Sequence, residues 1–248
     1  MLWYKSWRES RVRFLLSAAL IAGMCLMYSL FESRLYPGVA HETPRVRNYI
    51  QYIHWTVFGG ATRGILQLSC LLLGLGGLQR DRSQGTLGYT LALPVSRTML
   101  VLQRAGIGLA QVFVLSLFPP FLVTGASLLM HQHLPLAYGL PFIPLWTIGG
   151  FTTYALSFLC SVLIPSEYGA LACAYVIYIF TLAAARHPRI AGYHLHVADF
   201  MSGNAPHQLD PHTTLWTGMY PMAPLFGFFA AGLFMVAAAT LVTRRQDL

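Results

Sequence analysis

The stretch Phe14–Phe31, FLLSAALIAGMCLMYSLF, runs eighteen residues without a charge. At ~1.5 Å per residue it makes roughly 27 Å of helix, close to the ~30 Å hydrocarbon layer of a bilayer. It is longer than the apolar core of a usual signal sequence, and no small-residue cleavage site precedes Glu32, so it reads as an uncleaved span. Five further runs follow: about Trp55–Leu78, Ala105–Met130, Pro141–Ile164, Tyr168–Ala185 and about Met222–Val242. The whole chain agrees with its runs. Of 248 residues, 56% are hydrophobic and 10% charged, with a mean hydropathy of +0.56, whereas soluble domains carry about 25% charged residues. The expected fold is an all-α membrane protein with six transmembrane helices. Soluble globular, disordered and collagen-like classes are excluded. Cys25, Cys70, Cys160 and Cys173 all fall inside apolar stretches and read as small buried hydrophobes, not as a disulfide framework.

Six spans put both termini on one side, and the basic residues say which. Lys5, Arg8, Arg11, Arg13, Arg80, Arg82, Arg97, Arg104, Arg244 and Arg245 fall on that side; Arg34, Arg45, Arg47, Arg186 and Arg189 fall on the other. The ten-to-five excess places both termini in the cytoplasm and the loop 186–221 outside, with Ser202 expected to be accessible there. Basic flanks beside anionic headgroups account for the net charge of +8, so no nucleic-acid partner is called for.

Within the spans, Pro119-Pro120 removes two backbone donors from the third helix and is expected to kink or split it. Gly149-Gly150 and Gly74, Gly76 and Gly77 allow close helix contacts. Ordinary bundle packing explains these features, and a transport cavity lined by a broken third helix is the other reading. No span holds a pair of acidic residues, which argues against a proton-relay or sodium-coupled carrier, and no filter-like sequence suggests a channel. Arg63 is the lone charge in an expected span. With a span starting near Gly60 it snorkels to the outer interface. The sharper alternative makes Arg63, Pro119 and Pro120 part of a substrate path, with Arg63 facing an anion at its external end.

Between spans two and three the chain reads RDRSQGTLGYTLALPVSR, Arg80–Arg97. Leu87 with Leu91 and Tyr89 with Leu93 are i, i+4 pairs of a short helix whose apolar anchors cover much of its surface. Pro94 ends that helix, and Ser96 is placed to cap the one leading into span three. This run resembles the cytoplasmic loop of ABC-2-type permeases, the membrane subunits of one class of ATP-driven exporters. Gly85, Thr86, Leu93, Pro94, Val95, Ser96 and Arg97 fit its pattern, while the acidic position before Gly-Thr is displaced to Asp81, followed by Arg82 and Gln84. The start, WYKSWRESRVRF, looks like the family's membrane-parallel lead-in: as a helix it aligns Trp3, Trp7, Ser10 and Phe14 in one stripe. The ending TRRQDL looks like the family's basic tail.

The resemblance implies an N-terminal interfacial helix over 1–13, a six-span domain over 14–248 and a cytoplasmic coupling element within 79–104. It assigns ATPase coupling to Arg80, Asp81, Gly85, Thr86, Leu87, Tyr89, Leu91, Leu93, Pro94 and Arg97. The chain contains no Gly-x-x-x-x-Gly-Lys-[Ser/Thr] phosphate loop. It is therefore expected to be a transport subunit and not an enzyme, with no cofactor of its own. ATP and Mg belong to a separate phosphate-loop ATPase subunit, and a second permease copy or paralogue completes the path. The expected address is the bacterial inner membrane, among lipids. An amphipathic or lipid-like cargo fits the aromatic-rich spans, which equally fit lipid contact.

Histidines give the competing reading. His131-x-His133 lies in the third loop, and His187, His194, His196, His207 and His212 share the fifth with Asp199 and Asp210. Imidazole and carboxylate suit zinc or copper, so a membrane-embedded metal-handling protein or metalloenzyme is the alternative. With no closed ligand set, the expectation is no metal site, the histidines sitting on a wet loop anchored by Trp216 and Tyr220.

Overall fold

The computed structural model describes residues 2–31, 49–75, 97–131, 134–185, 187, 196–203 and 222–245. The chain is an all-α membrane protein: the described residues contain no strand, and six of their helical segments are long and apolar enough to cross a bilayer. The helices are α1 (Leu2–Leu30), α2 (Tyr49–Ile53), α3 (Ala61–Gly74), α4 (Arg97–Leu129), α5 (Leu136–Gly139), α6 (Phe142–Leu163), α7 (Glu167–Ala185), α8 (Val197–Met201) and α9 (Met222–Arg245). A π-helical turn, His54–Phe58, follows α2.

Helix α6 is the hub, packed against α3, α4, α7, α8 and α9. Lipid is as apolar as leucine, so helices in a bilayer associate through close packing and hydrogen bonds more than through the hydrophobic effect. The sequence of α6 supplies both. A Cβ on Gly150 would lie 2.7 Å from Val112 Cγ1 of α4 and 3.1 Å from Cys70 Sγ of α3. From the α3 side, a Cβ on Gly74 would lie 2.7 Å from the Tyr154 carbonyl oxygen and 3.0 Å from the Phe158 nitrogen, so the two backbones touch. The close contacts expected at Gly74, Gly149 and Gly150 are present; Gly76 and Gly77 lie outside the described residues. Hydroxyls finish the seam: Ser157 donates to the Leu71 carbonyl at 2.6 Å and Thr152 to the Phe228 carbonyl at 3.0 Å. Outer faces of α1, α7 and α9 show Leu16, Leu20, Val176, Phe180, Phe226 and Phe234, as lipid-facing surfaces require.

Three expectations are corrected. Pro119-Pro120 does not split the third span, because α4 runs unbroken from Arg97 to Leu129 with both prolines buried. Unwinding a helix in an apolar medium exposes more backbone groups than the two bonds the prolines remove. The break falls in span two, where Gly59-Gly60 bends the chain between the π-helical turn and α3. A Cβ on Gly60 would press on the backbone oxygens of Trp55 and Thr56, so glycine is what permits this bend. Span two thus begins at Tyr49, outward of the expected start, and Arg63 sits well inside it. Finally, α1 carries the basic lead-in and the first span as one helix. The Trp3–Phe14 stripe is partly turned towards α4, since Trp3 lies against Gly106 and Ser10 accepts from Gln111 Nε2 at 2.7 Å.

Candidate functional site

Alternating helix directions gather two sets of side chains at opposite ends of the bundle. At one end the short helix α8 drops among α3 and α6. Its signal is HVADFMSG: His196 caps the first turn, its Nδ1 accepting from the Ala198 amide at 3.0 Å, and Val197, Phe200 and Met201 follow at helical spacing. Backbone at membrane depth must be satisfied by protein. Arg63 donates to the Ala198 carbonyl at 2.7 Å and Trp146 Nε1 to the Met201 carbonyl at 3.0 Å. Gln67 reaches Met201 Sδ at 3.4 Å and accepts from the Tyr178 hydroxyl at 2.5 Å. Met201 fills the space over Gly149, where a Cβ would lie 2.7 Å from its sulfur.

An aromatic cluster seals the rest of this plug end. Phe58 stacks on Phe142 at 4.2 Å between centroids and meets Trp146 at 6.0 Å, while His54 lies 5.8 Å from Phe142. Tyr49 and Ser127 share a 2.6 Å hydrogen bond that ties α2 to α4.

Arg63 is engaged with the Ala198 carbonyl of α8. Ser202 is 0% exposed, its hydroxyl donating to the Asp199 carbonyl, so it is no accessible probe. His196 is likewise buried and structural, not a wet-loop residue. His131 and His187 are exposed; His133, His194, His207, His212 and Asp210 lie outside the described residues, as do Trp216 and Tyr220. Among the described residues no group of three or more His, Cys, Asp or Glu side chains is placed to hold a metal. Pro120 packs on Gly139 of α5: a Cβ on Gly139 would lie 3.0 Å from Pro120 Cβ.

The opposite, arginine end is polar. Arg13 of α1 donates to the carbonyl of Leu75, just past the end of α3, at 2.7 Å and to that of Leu72 in its last turn at 3.2 Å, and it pairs with Glu167 at the start of α7. One side chain thereby joins three helices. Beside it opens a hollow of ≈ 460 Å³, mouth included, walled by α1, α3, α4 and α6. Arg97 opens α4; Arg80, Asp81, Gly85, Thr86, Leu87, Tyr89, Leu91, Leu93 and Pro94 lie outside the described residues.

No protein-family model matches the chain, and no curated protein matches it at a significant level.

Proposed function

We propose that the chain is the membrane-spanning subunit of an ATP-driven exporter of the ABC-2 permease type, working with a separate phosphate-loop ATPase and a second permease copy in a bacterial inner membrane. The observation that carries this reading is the run Arg80–Arg97, with its Gly85-Thr86 and Leu93-Pro94-Val95-Ser96-Arg97 and its otherwise unexplained apolar anchors, between the second and third of six spans. Apolar side chains on a charged loop need a cover, and an ATPase docked at the arginine end provides one. With that end cytoplasmic, as the ten-to-five basic excess supports, the plug end faces outward and α8 closes it. Export then requires α8 to leave its seat, an alternation between two packed arrangements driven from the far end. The substrate remains of the amphipathic or lipid-like class.

Affinity purification from native membranes followed by mass spectrometry tests the partner. A phosphate-loop ATPase recovered in constant ratio to the chain is expected; a folded chain recovered without one contradicts the proposal. Orientation is tested at His187, which is exposed and lies in the loop proposed to be external: His187→Cys is expected to react with an impermeant thiol reagent in intact cells. Reaction after lysis alone reverses the topology.

A further inference from the structure

The hollow at the arginine end has the chemistry of an anion site, and we infer that it binds the phosphate of an anionic phospholipid from the leaflet around it. This inference rests on membrane embedding and on the hollow's own residues, independently of the ATPase partnership. Depth is the first argument. Arg13 and Arg104 are the last charges before uncharged helix on α1 and α4: roughly 25 Å from Phe14 to Leu30 and roughly 37 Å from Ala105 to Leu129 at ~1.5 Å per residue. Against a ~30 Å hydrocarbon layer, the hollow between these arginines lies at headgroup level.

Its lining is the second argument. Ser6, Ser10, Arg13, Arg104 and Gln111 place hydroxyl, guanidinium and amide groups around one space, and Leu73, Ile107 and Phe158 give it an apolar side suited to the glycerol ester region. The polar groups are held in place: Gln111 Nε2 donates to Ser10 Oγ at 2.7 Å, Ser10 donates to the Ser6 carbonyl at 3.0 Å, and the Tyr154 hydroxyl donates to the Arg104 carbonyl at 3.1 Å. Arg13 is fixed by α3 and Glu167 and forms a positive wall.

Charge is the third. Among the described side chains at this end, Arg8, Arg11, Arg13, Arg104, Arg244 and Arg245 outnumber one carboxylate, Glu167, and by sequence α1 adds Lys5 and Glu9, which cancel. The local excess is positive, and basic pockets between spans on the cytoplasmic side suit phospholipid headgroups.

The test uses the full chain in mild detergent and in phosphatidylcholine nanodiscs with or without phosphatidylglycerol. Native mass spectrometry is expected to show one phosphatidylglycerol retained per chain. Arg104→Gln and Ser6→Ala are expected to weaken retention, the arginine change by about fivefold, while Arg8→Gln, an equal charge change on an exposed part of α1, alters it less than about twofold. If Arg104→Gln does not fold, Ser6→Ala, which removes only a hydroxyl, decides against Arg8→Gln by itself. Phosphatidylglycerol binding that inorganic phosphate does not displace assigns the site to a lipid headgroup. Saturation by inorganic phosphate with no preference for phosphatidylglycerol over phosphatidylcholine overturns the lipid assignment. Equal retention by wild type and both hollow variants, or an equal loss in Arg8→Gln, overturns the site.

Discussion

The two ends of this bundle are built on opposite plans. At the plug end, stacked rings and the buried helix α8 close the space, with Arg63, Gln67, Trp146 and His196 as polar ties inside apolar packing. At the arginine end, a hollow lies open between four helices, and Arg13 beside it ties α1 to the end of α3 through two carbonyls and to α7 through Glu167. Beside the hollow, α3 and α6 meet backbone to backbone at Gly74. The contrast teaches where the molecule can yield: α8 is short and held by a handful of polar bonds, whereas the α3–α6 seam has no flexible side chain to give way.

The largest effect is expected at that seam. Gly74→Val should lower stability by about 3 kcal/mol or more, because its new atoms meet the backbone of Tyr154 and Phe158. Gly125→Ala, with nothing within 4 Å of its Cβ, should leave the unfolding midpoint in nanodiscs unchanged or slightly raised. Equal losses at both positions would erase the rigid seam.

Next comes the plug. Arg63→Ala removes a charge-assisted bond worth about 1.5–3 kcal/mol and should free α8. Ser202→Cys, in a chain otherwise free of cysteine, should resist an impermeant maleimide while Arg63 is present and react once it is replaced. Fast labelling in both backgrounds would mean that α8 is not seated.

At the arginine end, Arg13→Ala should cost about 1–3 kcal/mol, since it removes the contacts to the Leu72 and Leu75 carbonyls and to Glu167 together. Glu167→Gln, at a partly exposed pair, should cost less than about 1 kcal/mol. Chemical unfolding in detergent ranks the two, and the reverse order would make the ion pair, not the capped helix end, the tie. A milder steric effect than at Gly74 is expected at Gly149→Ala, roughly 1 kcal/mol, because the nearest atoms in the way belong to the flexible side chain of Met201.

The spans were legible because a bilayer imposes one requirement, a long apolar helix with few or no charges, which Phe14–Phe31 and its five counterparts meet. The small-residue contacts at Gly74 and Gly150 were legible for a related reason: glycine in a span has little other use. What composition could not reveal was where the helices stop being regular. Gly59-Gly60 reads in sequence as a span boundary and turns out to be a bend inside a longer buried segment. Pro119-Pro120 reads as a break, yet the surrounding apolar medium keeps α4 whole. The plug was missed because its eight residues sit in a polar, histidine-rich loop; Val197, Phe200 and Met201 behind a capping His196 were the available signal. Arg63 was recognised as exceptional, but its partner is a carbonyl 135 residues away, which no local pattern encodes.

The loop Arg80–Arg97 is proposed to join a separate ATPase to this bundle. That role is tested most directly by replacing Leu87 or Leu91 with aspartate and measuring copurified ATPase and transport in the same membrane. A carboxylate forced into a dry contact without a partner costs several kcal/mol, beyond the ~1.5–3 kcal/mol of a leucine's burial. Leu87→Asp and Leu91→Asp are therefore expected to lose the ATPase or uncouple hydrolysis from transport, with membrane insertion intact. Full docking and full transport in both variants would contradict the claim and leave the loop a basic connector between two spans.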